Sequence, residues 1–343
     1  MPKITSIISR QVFDSRGNPT VETEVHLDNG KRASAIVPSG ASTGTYEAFE
    51  LRDIENKNYL GKSVLKATEK INTEISKALI GINIEDQKKI DKTMIELDGT
   101  QQKKRLGANS ILSVSLAANK VSALSQNIPL YKNLGEEKKL PLPLMNIING
   151  GVHANNSLRI QEFMIRPDNA KNFKQALNIC FLVIQKLKSI LNKKNLSTSV
   201  GDEGGFAPSL ETNENAIDLI FEAVDKSGFK IGKDISICLD VAANELYKKQ
   251  KYTVTSLKPM SAEKTISYYL DLIKKYNIKS IEDPFFEDDW SSWVNFTKAA
   301  NSDTQIVGDD LFVTNKERLQ KGIISKAANA ILIKPNQIGT LTE

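Results

Sequence analysis

The chain has 343 residues, 40% hydrophobic and 25% charged, with a net charge of +5 that comes from lysines scattered along its length. That balance is one of a soluble globular protein, and its longest apolar runs, such as C-F-L-V-I around Cys180, are far too short to span a bilayer. No basic block interleaved with aromatic residues occurs, so nucleic-acid binding is not expected. The length exceeds one ordinary core and suits a barrel of about 250 residues beside a smaller domain.

The opening M-P-K-I-T-S-I-I-S-R has no apolar stretch of signal-peptide length, and it reads as the first strand of a cytoplasmic protein. In T-V-E-T-E-V-H-L-D, Val21, Thr23, Val25 and Leu27 alternate with Glu22, Glu24 and His26, and Asp28-Asn29-Gly30 supplies a turn. A strand meander with one wet face follows, and His26 is a surface residue on it. The Gly/Ser/Thr loop 38–45 offers amides and hydroxyls that could close over a phosphate or metal, although a surface loop is the simpler reading. Leu60, Val64, Ala67, Ile71, Ile75 and Leu79 recur at helical spacing, which predicts a helix over 59–79, and a similar pattern predicts another over 106–124. An α+β domain over 1–135 is therefore expected, with Glu136 to Lys139, Pro141 and Pro143 marking the boundary.

From residue 140 to 343 strand-like segments recur: L-M-N-I-I-N, E-F-M-I, S-T-S-V-G, I-S-I-C-L-D, K-S-I-E-D, Q-I-V-G-D and A-I-L-I-K. Amphipathic helices separate most of them, one with Phe173, Leu177, Phe181, Ile184, Leu187 and Leu191 on its apolar face. The pattern predicts a TIM-like α/β barrel with seven of its eight strands. Cys180 on a helix and Cys238 in a buried strand suit reduced, inert thiols.

Four of those strands end in charge, at Asp240, Glu282, Asp309 and Lys334. Barrel enzymes place their chemistry at the C-terminal ends of strands, so three carboxylates there suit Mg²⁺, a hard cation that prefers oxygen ligands. Any one of them alone would read as a helix cap or a surface ion pair. Lys334 at the mouth of an apolar strand could serve as a general base if desolvation and neighbouring cations lowered its pKa, against the alternative of a lysine reaching to the rim. In V-G-D-E-G-G-F the glycines allow a tight turn that presents Asp202 and Glu203, with catalysis and plain turn chemistry equally open. His153, Gln161 and Glu162 fall on the same expected rim.

These motifs together resemble the enolase family. D-S-R-G-N-P-T at Asp14, S-G-A-S-T-G at Ser39, N-I-I-N-G-G-x-H at Asn146, Q-E-F-M-I at Gln161, V-G-D-E-G-G-F-A-P at Val200, S-I-E-D-P-F at Ser280, V-G-D-D-L-F-V-T-N at Val307 and I-K-P-N-Q-I-G-T at Ile333 stand in the family's order. The resemblance implies an enolase-type barrel after a smaller α+β domain, and reversible dehydration of 2-phosphoglycerate to phosphoenolpyruvate with two Mg²⁺ ions. By motif, Lys334 is the base, Glu203 the acid, and Asp240, Glu282 and Asp309 the ligands of the first ion, with Ser39 a ligand of the second. His153, Gln161 and Glu162 match the substrate pocket, which Glu282, Asp309 and Lys334 also border. A Lys or His base with one or two Mg²⁺ is the habit of this superfamily rather than a deduction from these residues. The resemblance further implies a homodimer or higher homo-oligomer, and a cytoplasmic protein with an additional surface or secreted pool. Family members continue into an eighth strand with a Ser-His-Arg-Ser motif and a further lysine. The expectation is thus a C-terminally truncated enolase lacking its last strand, with a poorly stable open barrel. The alternative is an inactive enolase-derived chain with a binding or surface-associated role.

Overall fold

The computed structural model describes residues 1–40, 44–55, 57–135, 139–300 and 302–343. The chain forms two compact units, the first made of Met1–Lys138, Val313–Lys316 and Ile333–Glu343, the second of Lys139–Phe312 and Glu317–Leu332.

In the first unit, β1 (Ile4–Phe13), β2 (Pro19–Leu27) and β3 (Arg32–Ile36) form an antiparallel sheet in that order. Val21, Thr23, Val25 and Leu27 of β2 are buried. The intervening side chains meet ionic neighbours on the wet face, with Arg10 2.8 Å from Glu22 and His26 2.6 Å from Glu24. A helical rod follows, built from α1 (Leu65–Lys70), a wider turn at Ile71–Ile75 and α2 (Ser76–Leu79). It begins six residues later than its apolar periodicity predicts, because Tyr59 and Leu60 have φ of 53° and 56°, outside the right-handed helical region. The buried carboxylate of Asp53 fixes the start by accepting from the amides of Leu65 at 2.8 Å and Lys66 at 3.1 Å, donors that the first helical turn leaves free.

Helices α3 (Gln87–Asp98), α4 (Ala108–Ser125) and α5 (Leu130–Leu134) complete the row. The central α4 is buried on nearly every face: Ile111, Val114, Ala118 and Val121 pack with Val21, Val25 and Ile71, while its serines let neighbouring backbones come close. The hydroxyls of Ser113 and Thr23 meet at 2.7 Å, which satisfies both inside the core. The segment Ile333–Glu343 is stitched into this unit. Thr342 donates from its amide (3.0 Å) and hydroxyl (2.6 Å) to buried Asp91, Leu341 donates to Ser115 at 3.1 Å, and buried Lys103 pairs with Glu343 at 2.9 Å.

In the second unit, β4 (Met145–Asn149), β5 (Glu162–Arg166), β6 (Ser236–Asp240), β9 (Ile278–Glu282), β10 (Gln305–Gly308) and β11 (Ala330–Ile331) form one sheet in that spatial order. The small hairpin of β7 (Tyr247–Lys248) and β8 (Lys251–Tyr252) stands apart. The pairs β4·β5 and β5·β6 are antiparallel, and the three remaining pairs are parallel. Helices α6 (Phe173–Lys193), α7 (Asn213–Lys226), α8 (Ala262–Tyr276), α9 (Trp290–Ala299) and α10 (Lys316–Ser325) lie between the strands in the chain. Phe163, Ile165, Ile237, Leu239 and Ile281 of the sheet share a core with Val183 and Leu187 of α6 and Tyr269 of α8. Each aliphatic or phenylalanine side chain among them, fully buried, stabilises the fold by roughly 1.5–3 kcal/mol.

The expected strand S-T-S-V-G at 197–201 is not one. It makes only isolated bridges of Val200 with Phe206, beside a second bridge of Phe206 with Ile148. The glycines at 201, 204 and 205 fold the chain back at once, leaving too short a segment to pair along its length. Six strands, rather than seven, make up the main sheet among the described residues.

Candidate active site

The strand register builds the site. Asn149 stands opposite Glu162, Glu162 opposite Asp240, and Asp240 opposite Glu282, so one row across β4, β5, β6 and β9 carries three carboxylates. Glu162 can join the row only because β5 runs antiparallel, which brings the start of that strand to the level where β6 ends. Val307 of β10 continues the row opposite Glu282, and Asp309 follows two residues on.

Asp240 is buried and held at both oxygens, accepting from the amide of Ala242 at 3.0 Å and from Nε2 of Gln161 at 3.1 Å. Ala242 itself has φ of 47°, which turns the chain immediately after this amide. Burial, followed by the negative charges of Asp240, Asp309, Asp283 and Glu162, pushes the Glu282 carboxyl well above the usual carboxylate range. Burial and then Asp310, Asp309 and Asp240 do the same to Asp283. Asp283 accepts from the backbone amides of Asp309 (2.9 Å) and Asp310 (2.7 Å), and oxygens of these three aspartates lie within 4.8 Å of one another. So many carboxylates gathered at one rim fit a divalent cation: hard oxygen donors are present, and the charge they share opposes their own ionisation until a cation offsets it.

His153 is buried, with Nδ1 3.7 Å from Glu162 and Nε2 3.9 Å from Glu203. Glu203 is exposed on a turn closed by Gly201 N–H to the Gly205 carbonyl at 2.8 Å, and Asp202 donates to the His153 carbonyl at 3.0 Å. Gly201 is required there: a Cβ would sit 2.5 Å from the His153 carbonyl oxygen. Thus His153, Gln161, Glu162, Glu203, Asp240, Glu282 and Asp309 all belong to the second unit.

Lys334 and Ser39 belong to the first. Lys334 does not end a strand as expected: β11 stops at Ile331, and Lys334 is the half-buried residue preceding the helical turn Pro335–Ile338. Its amide donates to Thr314 Oγ1 at 2.9 Å. The Ser39 hydroxyl donates to Glu50 at 3.1 Å and lies 3.4 Å from Arg52 NH2. Part of the 38–45 loop, residues 41–43, lies outside the described residues. Sequence reasoning passed over Asp283 and Asp310, although the doublets in S-I-E-D-P and V-G-D-D carried the signal.

A carboxylate-rimmed, largely parallel sheet wrapped by helices, with a separate α+β unit, is the frame of a barrel-type enzyme. Residues 4–134 match the family model described as "Enolase, N-terminal domain", and residues 137–343 the one described as "Enolase, C-terminal TIM barrel domain". The chain is 63% identical to an enolase of Pelagibacter ubique (strain HTCC1062), over all of this chain and 82% of that protein. This chain belongs to the enolase family, Mg²⁺-dependent lyases that reversibly dehydrate 2-phosphoglycerate to phosphoenolpyruvate in glycolysis.

Proposed function

We propose that this protein performs the enolase reaction with two Mg²⁺ ions per active site, Lys334 acting as base and Glu203 as acid. The observation that carries the reading is the row of Glu162, Asp240 and Glu282 across adjacent strands, with the Glu282 carboxyl raised by the carboxylates around it. Asp240, Glu282 and Asp309 are the residues that would hold the first ion. When bound, Mg²⁺ supplies a fixed positive charge that stabilises the negative charge developing on the substrate carboxylate.

Lys334 accepts the proton from C2 of 2-phosphoglycerate, and the bonding electron pair stays with the substrate. Glu203 gives a proton to the hydroxyl on C3, which leaves as water. His153, wedged between Glu203 and Glu162, keeps the acid-bearing turn against the rim, and Gln161 orients Asp240. Ser39, whose hydroxyl proton goes to Glu50, has oxygen lone pairs to offer a second ion. We place the protein in the cytoplasm and expect it to act as a homodimer or larger homo-oligomer. Burial pushes the Cys180 thiol up to about 11 and the Cys238 thiol to about 12, which suits inert, reduced cysteines. Among the described residues, no helix is long and apolar enough to cross a membrane.

The test is phosphoenolpyruvate formation from 2-phosphoglycerate with Mg²⁺, by the purified protein and by Lys334→Ala. Turnover lost in the variant by about 10³-fold or more supports the assignment, that being the scale of an essential general base or beyond. Turnover that survives in Lys334→Ala would remove the lysine from the mechanism.

A further inference from the structure

Val313 and Thr314 both lie in the left-handed backbone region, with φ of 42° and 53°. Two consecutive β-branched residues there are costly, since their Cβ substituents crowd the neighbouring carbonyl. Such a turn persists only where its surroundings hold it, and it aims Thr314 at the segment that carries Lys334. The Thr314 hydroxyl accepts the Lys334 amide at 2.9 Å and donates to Gln337 Oε1 at 2.8 Å. Gln337, 2% exposed, closes the other side: its amide donates to the Lys334 carbonyl at 3.0 Å, and its own carbonyl accepts from the Ala48 amide at 2.8 Å. The far end of its side chain meets Glu47 Oε1 at 3.5 Å, and that same oxygen accepts from the Gly44 amide at 2.9 Å. Pro335 then fixes the backbone immediately after the lysine.

Both main-chain polar groups of Lys334 are therefore held, its amide by the Thr314 hydroxyl that the Gln337 side chain orients and its carbonyl by the Gln337 backbone amide, and no catalytic role claims either residue. A lysine side chain has four rotatable bonds, so the direction in which its Cα–Cβ bond leaves the chain decides how often Nζ reaches a given atom. We propose that Thr314 and Gln337 are positioning residues for Lys334, setting its approach to the substrate proton. The proposal rests on the reading of Lys334 as the base. A single hydroxyl does both jobs at position 314, so serine can replace threonine and the isosteric valine cannot. Gln337 is needed at its position because it supplies the acceptor that fixes which way the hydroxyl points.

The experiment follows exchange of the C2 proton of 2-phosphoglycerate with solvent deuterium, alongside kcat, KM and the primary isotope effect of C2-deuterated substrate. Thr314→Val is expected to slow proton exchange and kcat by the same factor, roughly 10- to 100-fold, the cost of displacing a reacting group by about an ångström. KM should stay within about threefold and the isotope effect should rise, because proton removal has become the slow step. Thr314→Ser is expected to restore both rates, and Gln337→Met, which keeps the volume but loses the acceptor, to repeat the valine result. Gln337→Met also serves as the test if Thr314→Val does not fold. Exchange at the unaltered rate in folded Thr314→Val or Gln337→Met, or a serine variant as slow as the valine one, would overturn the proposal. Lys334→Ala separates the two readings. If it still exchanges the proton, the lysine is not the base and the proposal falls with it; if exchange is abolished there but intact in the positioning variants, only the positioning role fails.

Discussion

The carboxylate row makes a prediction about stability in which acid and metal have the same effect. In the metal-free protein, burial and neighbouring carboxylates raise Glu282 well above its ordinary value, so the folded state keeps a proton over a range of pH in which the unfolded chain has lost it. A group of this kind makes the fold less stable as pH rises: its stabilising proton is fully present below the ordinary carboxylate range and is lost as pH climbs through the raised value. Each unit of that elevation costs about 1.4 kcal/mol at neutral pH, and each kcal/mol moves a midpoint by about 2–4 °C in a protein of 150–250 residues, less in a longer one. Asp283 is raised by the same causes and adds to the slope. Glu74 and Glu222, lowered by hydrogen bonds from Arg105 and Lys226, lose their contribution only below the ordinary range, whereas Asp91, raised chiefly by burial, adds a slope of the same sign that comparison with a Glu282 variant cancels. Thermal melts in a chelator should therefore fall between pH 5 and 8, and saturating Mg²⁺ should flatten the curve, because binding to the folded state alone adds stability where the carboxylates are ionised. Glu282→Gln, melted without metal at pH 8, should exceed the unaltered protein, retaining the slope due to Asp283 and Asp91. A metal-free melting temperature that is level or rises from pH 5 to 8, or a glutamine variant that is less stable at pH 8, would refute the reasoning.

Two further outcomes follow from local geometry. In Gly201→Ala the added methyl meets the His153 carbonyl oxygen at 2.5 Å and the Asn149 side chain at 2.8 Å, and a backbone oxygen cannot swing aside. The variant should lose about 1–3 kcal/mol in denaturant unfolding, and its kcat should fall if Glu203, which rides on the same turn, is the acid as proposed. Asp53→Ala removes the acceptor for the amides of Leu65 and Lys66, which should cost about 0.5–2 kcal/mol and speed hydrogen exchange at the start of the 65–79 rod. Unchanged exchange there would mean that the cap is dispensable.

Much of the fold follows from periodicity that the chain displays openly. The alternation in β2 and the three-and-four spacing through Ile71, Ile75 and Leu79 correspond to buried faces. Local pattern failed where a longer-range contact decided the outcome. The start of the 65–79 rod depends on Asp53, a dozen residues upstream, and on two left-handed residues that no apolar spacing reveals. The β-branched and hydroxyl residues at 197–201 have strand character, but the glycines that follow leave no room for a ladder. The direction of β5 was equally hidden, because a period of two is the same read forwards or backwards, and that direction alone brings Glu162 level with Asp240. At the site, acidic strand ends were visible as candidates while the partition of labour within each doublet was not: Asp283 turns inward to hold the amides of Asp309 and Asp310, a role defined by a neighbouring loop.

The stitching of residues 333–343 into the first unit has a consequence for synthesis on the ribosome. Asp91, Lys103 and Ser115 emerge early, yet the groups they bind, Thr342, Glu343 and Leu341, are translated only after residues 139–312 and 317–332 of the second unit. At about 5–20 residues per second the delay is on the order of ten to fifty seconds. Throughout that time the nascent first unit has an aspartate and a lysine, buried in the finished fold, whose partners have not yet been made, so this step of its consolidation is timed by translation rather than by its own folding rate. Pulsed hydrogen exchange on stalled nascent chains would detect the wait as protection around α3 and α4 that tightens only once residue 343 has cleared the exit tunnel.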